Sequence, residues 1–254
     1  MTQELFDLSG NVALVTGGSR GLGKAMARGF IRAGADVIVS SRNEAELRTA
    51  VADVTKDCKH RAHYVVADLG RRDESKRLAR AALELTGRVD ILVNNAGTNV
   101  PQAIDAISDE TWDRVLELNL SSVMSLTRAL VPQMKERGWG RVIHVSSVMA
   151  YLSKEKRNVY SVTKTALQGF ARSMALDLGE FGITVNCIAP GPFLTDLPMS
   201  LLSEKEIAEF AKSTAVNRWA DPKELAGPAL LLASDAGSYI TGETLVVDGG
   251  FILR

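Results

Sequence analysis

The stretch Asn11-Val12-Ala13-Leu14-Val15-Thr16-Gly17-Gly18-Ser19-Arg20-Gly21-Leu22-Gly23 decides the fold. Its first six residues form a short β-branched and apolar run. The run breaks into glycines, and a helical pattern then extends from Leu22 to Ala33. That is strand, turn, helix. Glycines at 17, 21 and 23 let the backbone turn sharply and approach a pyrophosphate with no Cβ in the way. The helix after them points its free N–H groups and positive dipole end at the same place. Taken alone, these glycines also suit a plain turn between a strand and a helix. Their place after the first strand of an alternating chain favours a nucleotide turn.

The alternation continues outward from that stretch. Gly34 ends the helix, Asp36–Ser40 reads as a strand and Glu44–Asp57 as a helix. Strands are then predicted at His63–Ala67, Asp90–Val93, Arg141–Val145, Ile183–Ile188 and Thr244–Val247. Helices are predicted at Glu74–Leu85, Thr111–Lys135 (with Pro132 near its end), Val159–Leu178, Glu204–Lys212 and Lys223–Ala233. Near-continuous apolar strands joined by helices imply an α/β chain: a doubly wound, Rossmann-type sheet of about seven parallel strands with helices on both faces. Ligands of such sheets bind at the C-terminal strand ends.

Composition sets the outer limits. With 254 residues, 46% hydrophobic and 24% charged, the chain can bury a full core, and we expect one nucleotide-binding domain over residues 1–254. Thirty Lys plus Arg balance thirty Asp plus Glu, so no global field attracts nucleic acid or an anionic membrane. Cys58 and Cys187 are far apart and form no C-x-x-C pair, which suggests neither a disulfide framework nor a thiolate zinc site. His60 and His63 lie in a polar connection, and no metal is assigned to them or to His144. Met1 to Gly10 contains Glu4 and Asp7 and lacks the basic and apolar stretches of a secretory signal. No apolar run approaches the roughly 18 to 20 residues of a membrane span. A cytoplasmic location is expected.

The second strand bears on the choice of nucleotide. An acidic residue at its end binds the ribose 2′-hydroxyl of NAD, whereas basic residues suit the 2′-phosphate of NADP. Here it ends Val39-Ser40-Ser41-Arg42, and Arg20 stands on the preceding turn. The two guanidinium groups favour NADP(H) over NAD(H), unless both are merely solvated surface charges. Asp68-Leu69, after the third strand, is a candidate for the adenine edge.

With these residues, the chain resembles the short-chain dehydrogenase/reductase family in its single-domain form. The resemblance is carried by the glycine turn, Asn94-Asn95-Ala96-Gly97, Asn119, Ser147, Tyr160-Ser161-Val162-Thr163-Lys164 and Pro190-Gly191, in family order from Leu8 to Gly250. It implies that Asn119, Ser147, Tyr160 and Lys164 form a catalytic group. It further implies a cofactor site of Gly17, Ser19, Arg20, Gly21, Leu22, Gly23, Ser41, Arg42, Asp68, Leu69, Asn95, Ala96, Gly97, Tyr160, Lys164, Pro190, Gly191 and Thr195.

The side chains support the same chemistry. Reduction of a ketone needs a hydride donor on one face and a proton donor at the oxygen, because an uncompensated alkoxide in a dry site is costly. Tyr160 can give the proton if its pKa of about 10 falls by roughly two to three units, about 3 to 4 kcal/mol. Lys164 shares its helix face, and a unit charge about 4 Å away is worth roughly 4 kcal/mol at an effective dielectric near 20. Ser147 would orient the substrate oxygen. The resemblance adds that Lys164 holds the nicotinamide ribose and that Asn119 connects it to solvent through water. Plainer readings remain: Tyr160 and Lys164 as an amphipathic pair, Asn119 as a buried amide bonded to backbone, Ser147 as a turn cap.

The substrate loops are expected at Thr98–Ala106, Val148–Val159 and Phe193–Lys212. Ala233-Ser234-Asp235 and Tyr239-Ile240-Thr241-Gly242 are similar to 3-oxoacyl-carrier-protein reductases. Those enzymes carry arginines for the acidic carrier at positions that are Gly138 and Phe181 here, although Arg137 and Arg141 lie near the first. Phe6-Asp7-Leu8, Asn217-Arg218-Trp219 and Ala226-Gly227-Pro228-Ala229 look more like gluconate 5-dehydrogenases, which act on a sugar acid. Lys154, Lys156 and Arg157 form either a basic rim for an anionic carbonyl or alcohol substrate or a solvated loop. A catalytically silent nucleotide-binding regulator or scaffold of the same fold is the alternative to an enzyme. The resemblance also implies a homotetramer or dimer through the two long helices. Their apolar Val123, Leu126, Leu130, Ala166, Phe170 and Met174 suit a partner or a monomer core equally.

Overall fold

The computed structural model describes residues 2–199 and 202–253. Its strands are β1 (Val12–Thr16), β2 (Asp36–Ser41), β3 (Ala62–Val66), β4 (Ile91–Asn94), β5 (Gly140–Val145), β6 (Ile183–Pro190) and β7 (Thr244–Val247). They pair in parallel in the order β3-β2-β1-β4-β5-β6-β7, the doubly wound sheet that the alternation predicts. Val15 sits opposite Val39 of β2 on one side and Val93 of β4 on the other. The chain builds outward from β1 in one direction and from β4 in the other. Their C-terminal ends therefore flank the crevice where crossovers part.

The sheet is covered by α1 (Gly21–Arg32), α2 (Glu44–Thr55), α3 (Arg72–Thr86), α4 (Asp109–Leu116), α5 (Ser122–Arg137), α6 (Asn158–Leu178), α7 (Glu204–Ser213) and α8 (Ala226–Ala233). Successive strand residues point to opposite faces, so each strand feeds two cores. Leu14, Leu92 and Val142 pack with Leu78, Leu126 and Leu167 on one face. Ala13, Val15 and Val93 pack with Met26, Phe30 and Leu232 on the other. Phe30 is fully buried, and its truncation to alanine would cost about 3–5 kcal/mol. Val123, Leu126, Leu130 and Met174 are core residues, whereas Met124, Val162 and Leu176 on the same helices face outward.

Helix ends follow local chemistry. Asn43 caps α2 by accepting from Glu46 N at 3.2 Å, and Ser203 and Glu206 cap α7 reciprocally. Two helices differ from expectation. The stretch predicted at 111–135 begins at Asp109 and is interrupted by a wide, π-type turn over Glu117–Ser121. Val115, Val123, Leu126 and Leu130 keep the spacing of one stripe on a regular helix across this turn, so periodicity does not register it. The stretch predicted at 223–233 begins as a tight 3-10 turn, Pro222–Leu225, set by the Asp221 cap. Among the described residues, no helix is long and apolar enough to cross a membrane.

Candidate active site

The crevice is built first by backbone. Thr16 Oγ1, at the end of β1, accepts from Asn95 N and Ala96 N at 3.0 Å each and donates to Val93 O at 3.3 Å. Asn95 Nδ2 returns to Thr16 O at 2.8 Å and Gly17 O at 3.1 Å. The ends of β1 and β4 are thereby stitched together. Gly17 has φ 62°, and a Cβ on Gly23 would lie 2.3 Å from Gly17 O. Glycine is therefore required at both positions. Arg20 begins α1 without a side-chain cap, so side chains leave the first-turn N–H groups to another acceptor.

Above this turn lies a cavity of about 730 Å³. It gathers Gly17, Ser19, Arg20, Gly21, Leu22, Ser41, Arg42, Asp68, Leu69, Asn95, Ala96, Gly97 and Thr195, while Gly23 lies beneath as packing for the turn. Arg20 reaches Asp196 Oδ2 at 3.5 Å, an exposed pair worth at most about 1 kcal/mol. Arg42 is exposed at the rim. The sequence reading missed Asn43, Glu46, Arg114 and Leu118. Glu46 accepts from Ser19 Oγ at 3.0 Å and so braces the turn. The Asn43-x-x-Glu46 capping spacing was a usable signal for it.

A second cavity, about 240 Å³, shares Leu22, Asn95, Gly97 and Thr195 with the first and runs to the C-terminal end of β5. Ser147, Tyr160, Lys164, Pro190 and Gly191 line it. Ser147 Oγ accepts from Met149 N at 3.1 Å and also hydrogen-bonds with Tyr160. Lys164, one turn along α6 from Tyr160, donates from Nζ to Val145 O at 2.6 Å. Its Nζ is 5.6 Å from the Tyr160 ring centre, and burial lowers its pKa to about 8. Burial pushes the Tyr160 phenol up; the Ser147 hydrogen bond and then the Arg157 charge oppose it. The charge that lowers it is that of Arg157 and not the expected Lys164, whose ammonium is held on the strand backbone.

Asn119 is buried in the wide turn. Its Oδ1 accepts from Thr98 N at 2.9 Å, and its Nδ2 donates to Thr98 O at 2.9 Å and Thr163 Oγ1 at 3.1 Å. A Cβ on Gly97 would stand 3.3 Å from Asn119 Oδ1 and 3.5 Å from Lys164 Nζ. Behind the site, His144 is stacked on Phe170 at 5.9 Å and meets Asn94 Nδ2 through Nδ1 at 3.1 Å. Burial, then the Lys164 charge, lowers its pKa to about 3.

The basic candidates separate. Lys154 lines the second cavity, pairs with Glu206 at 3.5 Å and lies 5.0 Å from the Phe210 ring centre. Arg157 lines it as well, whereas Lys156 is exposed and outside the lining. Trp219 Nε1 donates to Ile207 O at 2.8 Å, so the Asn217-Arg218-Trp219 motif supports α7. Of the 193–212 loop, Ser200 and Leu201 lie outside the described residues. Arg137 meets Asp90 at 3.2 Å. Arg141 is buried, pairs with Asp235 at 3.3 Å and covers the Trp139 ring at 4.2 Å. Both arginines near the expected carrier positions are therefore engaged within the chain.

A family model described as enoyl-(acyl carrier protein) reductase matches residues 17–252. Human dehydrogenase/reductase SDR family member 4 is 38% identical over 245 residues, spanning 96% of this chain and 88% of that protein. A gluconate 5-dehydrogenase from Burkholderia cenocepacia, solved in complex with NADP and tartrate, is 32% identical with a TM-score of 0.93 over 100% of both chains. A 3-oxoacyl (acyl-carrier-protein) reductase from Agrobacterium tumefaciens with NADP bound is 31% identical. Its TM-score is 0.93, over 98% of this chain and 97% of that one.

Proposed function

The chain belongs to the short-chain dehydrogenase/reductase family, and on that premise we propose that it interconverts a ketone and a secondary alcohol with NADP(H). The observation that carries the reading is the convergence of Ser147, Tyr160 and Lys164 on a cavity continuous with the glycine cradle. That cradle fits a dinucleotide, because a Cβ at Gly23 would fill the space that lets the turn close. Gly17, Ser19, Gly21 and the start of α1 would hold the pyrophosphate. Arg42 and Arg20 would hold the 2′-phosphate, Asp68 and Leu69 the adenine, and Asn95 to Gly97, Pro190, Gly191 and Thr195 the nicotinamide half. Bound there, NADP(H) supplies or takes up the hydride at the carbonyl carbon.

The protein's own part is proton handling and charge. Ser147 Oγ hydrogen-bonds the substrate oxygen and fixes it beside Tyr160. In reduction the phenol gives its proton to that oxygen; in oxidation the phenolate takes it back. Lys164, anchored on the Val145 carbonyl, supplies an ammonium for the ribose hydroxyls. Asn119 positions the Thr98 backbone and Thr163 next to that lysine. The intact set speaks against a silent binding protein.

The substrate is a small keto acid of the sugar-acid type or a 3-oxoacyl thioester. The engagement of Arg137 with Asp90 and of Arg141 with Asp235 supports the small acid over a carrier-bound acyl group. The tartrate held by the gluconate 5-dehydrogenase relative points the same way. Met124 and Val162, outward on α5 and α6, suit a homo-oligomer contact. The test is NADPH oxidation with 5-ketogluconate and with an acetoacetyl thioester. Turnover of the thioester alone defeats the sugar-acid assignment, and binding of NADPH without turnover of any ketone in a broad panel defeats the enzyme reading.

A further inference from the structure

We propose that Arg157 selects a substrate bearing a carboxylate, with Asn99 accepting a hydroxyl of the same molecule. This deepens the oxidoreductase reading above and rests on it. The second cavity is walled by apolar groups, among them Met149, Phe210 and Trp219. Beyond the reacting residues, its substrate end presents Asn99, Lys154 and Arg157 as polar side chains. Lys154 is committed to Glu206 and Phe210. Arg157 makes no such bond: its Nη1 is buried without a hydrogen-bond partner, and among the described residues its guanidinium has no ion pair within 4.0 Å, the Glu206 charge acting on it only from farther away. Asn99 Oδ1 is likewise buried and unpartnered.

Buried polar groups left unmatched are rare in folded chains, because each keeps its full desolvation cost. Two of them on one small cavity mark where a ligand completes the bonding. Their polarities differ, and that difference defines the ligand. Guanidinium N–H groups need an acceptor, and their planar fork matches a carboxylate. An amide oxygen needs a donor, which a hydroxyl supplies. A hydroxylated keto acid meets both requirements, while a neutral alkyl ketone meets neither.

The arginine is also held in advance. Its backbone pairs with Gln102 in an isolated bridge, Gln102 N donates to Lys156 O at 3.0 Å and Asn158 Nδ2 donates to Gln102 O at 3.0 Å. Arg157 N closes a turn on Lys154 O at 3.2 Å, and Ser161 N bonds Arg157 O at 2.8 Å as α6 begins. The segment is fixed at both ends, so little ordering remains to be done when the anion arrives. The guanidinium also lies near enough to Tyr160 for its charge to favour the phenolate. Carboxylate binding would then partly neutralise the charge that assists the acid-base residue, coupling recognition to chemistry.

The test compares 5-ketogluconate with L-sorbose, the same skeleton with a hydroxymethyl group in place of the carboxylate, using NADPH. Gluconate and sorbitol binding to the NADP-loaded protein is measured alongside by calorimetry. We expect Arg157→Gln to lower the acid-to-neutral kcat/KM ratio about ten- to a hundredfold, mainly through KM, and to weaken gluconate binding by a similar factor. Arg157→Lys should recover part of the loss, and Lys156→Gln should leave the ratio as it is. An unchanged ratio and unchanged gluconate affinity in Arg157→Gln overturns the assignment, as does a wild type that neither binds gluconate nor favours the acid. Gluconate binding that depends on Arg157 in a protein turning over no ketone would instead remove the oxidoreductase reading and leave the anion site standing.

Discussion

The Lys164 ammonium is 2.6 Å from the carbonyl oxygen of Val145, and this bond anchors it to the end of β5 beneath the Tyr160 ring. The charge is consequently fixed by the sheet, at a depth where burial lowers its pKa from 10.5 to about 8.

That depression links stability to pH with a definite sign. The unfolded chain keeps the Lys164 proton up to about 10.5, while the folded chain releases it near 8. Between those values the unfolded state binds more protons, so stability rises with pH by up to about 3 kcal/mol from this group. Urea unfolding of wild type and Lys164→Met at pH 7 and 10.5 checks it. The wild type should gain on the variant by that amount, and a constant difference between the two would contradict it.

His144 acts at the acid end. Its folded pKa of about 3, set mainly by burial, lies below the unfolded 6.5. As pH falls from 6.5 to 3 the unfolded state takes up a proton that the folded state refuses. The cost grows to about 5 kcal/mol. His144→Gln should therefore have a flatter acid limb than wild type in chemical unfolding measured across that window.

Tyr160→Phe removes the proton carried by the phenol while leaving the ring. We expect kcat to fall about 10²–10⁴-fold with NADPH affinity retained. Single-turnover rates together with fluorescence titration separate the two effects, and an unchanged kcat would strip Tyr160 of its role.

Gly23→Ala puts a methyl 2.3 Å from Gly17 O, where backbone must move. Overpacking of this kind costs about 1–3 kcal/mol, and here it falls on the turn that faces the nucleotide. NADPH binding should weaken about ten- to a hundredfold. Gly179→Ala, with nothing within 4 Å of the added Cβ, is the control that should bind normally.

Arg42→Ala should lower the preference for NADPH over NADH by about tenfold, the worth of a charge-assisted bond to the 2′-phosphate. Steady-state rates with both cofactors read it. Equal loss with both would mean that Arg42 acts on the loop and not on the phosphate.

Much of this was legible in the sequence. Apolar strands such as Val12–Thr16 and Ile183–Pro190 have helices on both sides, so their hydrophobic runs carry the sheet directly. Tyr160 and Lys164 are four apart on α6, a spacing that by itself puts them on one face. The rest depended on distance. Nothing in the chain says that Lys164 bonds Val145, nineteen residues upstream, or that Lys154 is taken by Glu206 while its near neighbour Arg157 is left open. Runs of like residues look equivalent until packing assigns each a partner.

The wide turn at Glu117–Ser121 has an effect beyond holding Asn119. Each residue of an α-helix advances the side chains by about 100°. An extra residue in one turn therefore resets the angular phase of everything after it. Val115 of α4 and Val123, Leu126 and Leu130 of α5 have the spacing of one stripe on a regular helix, yet only the three of α5 join the core against the sheet. Deleting one residue here must either close the wide turn or rotate one of the two helices by about 100°, carrying Val115 or the α5 stripe toward water. Indel tolerance in this segment should be low, even though its composition looks like that of any amphipathic helix.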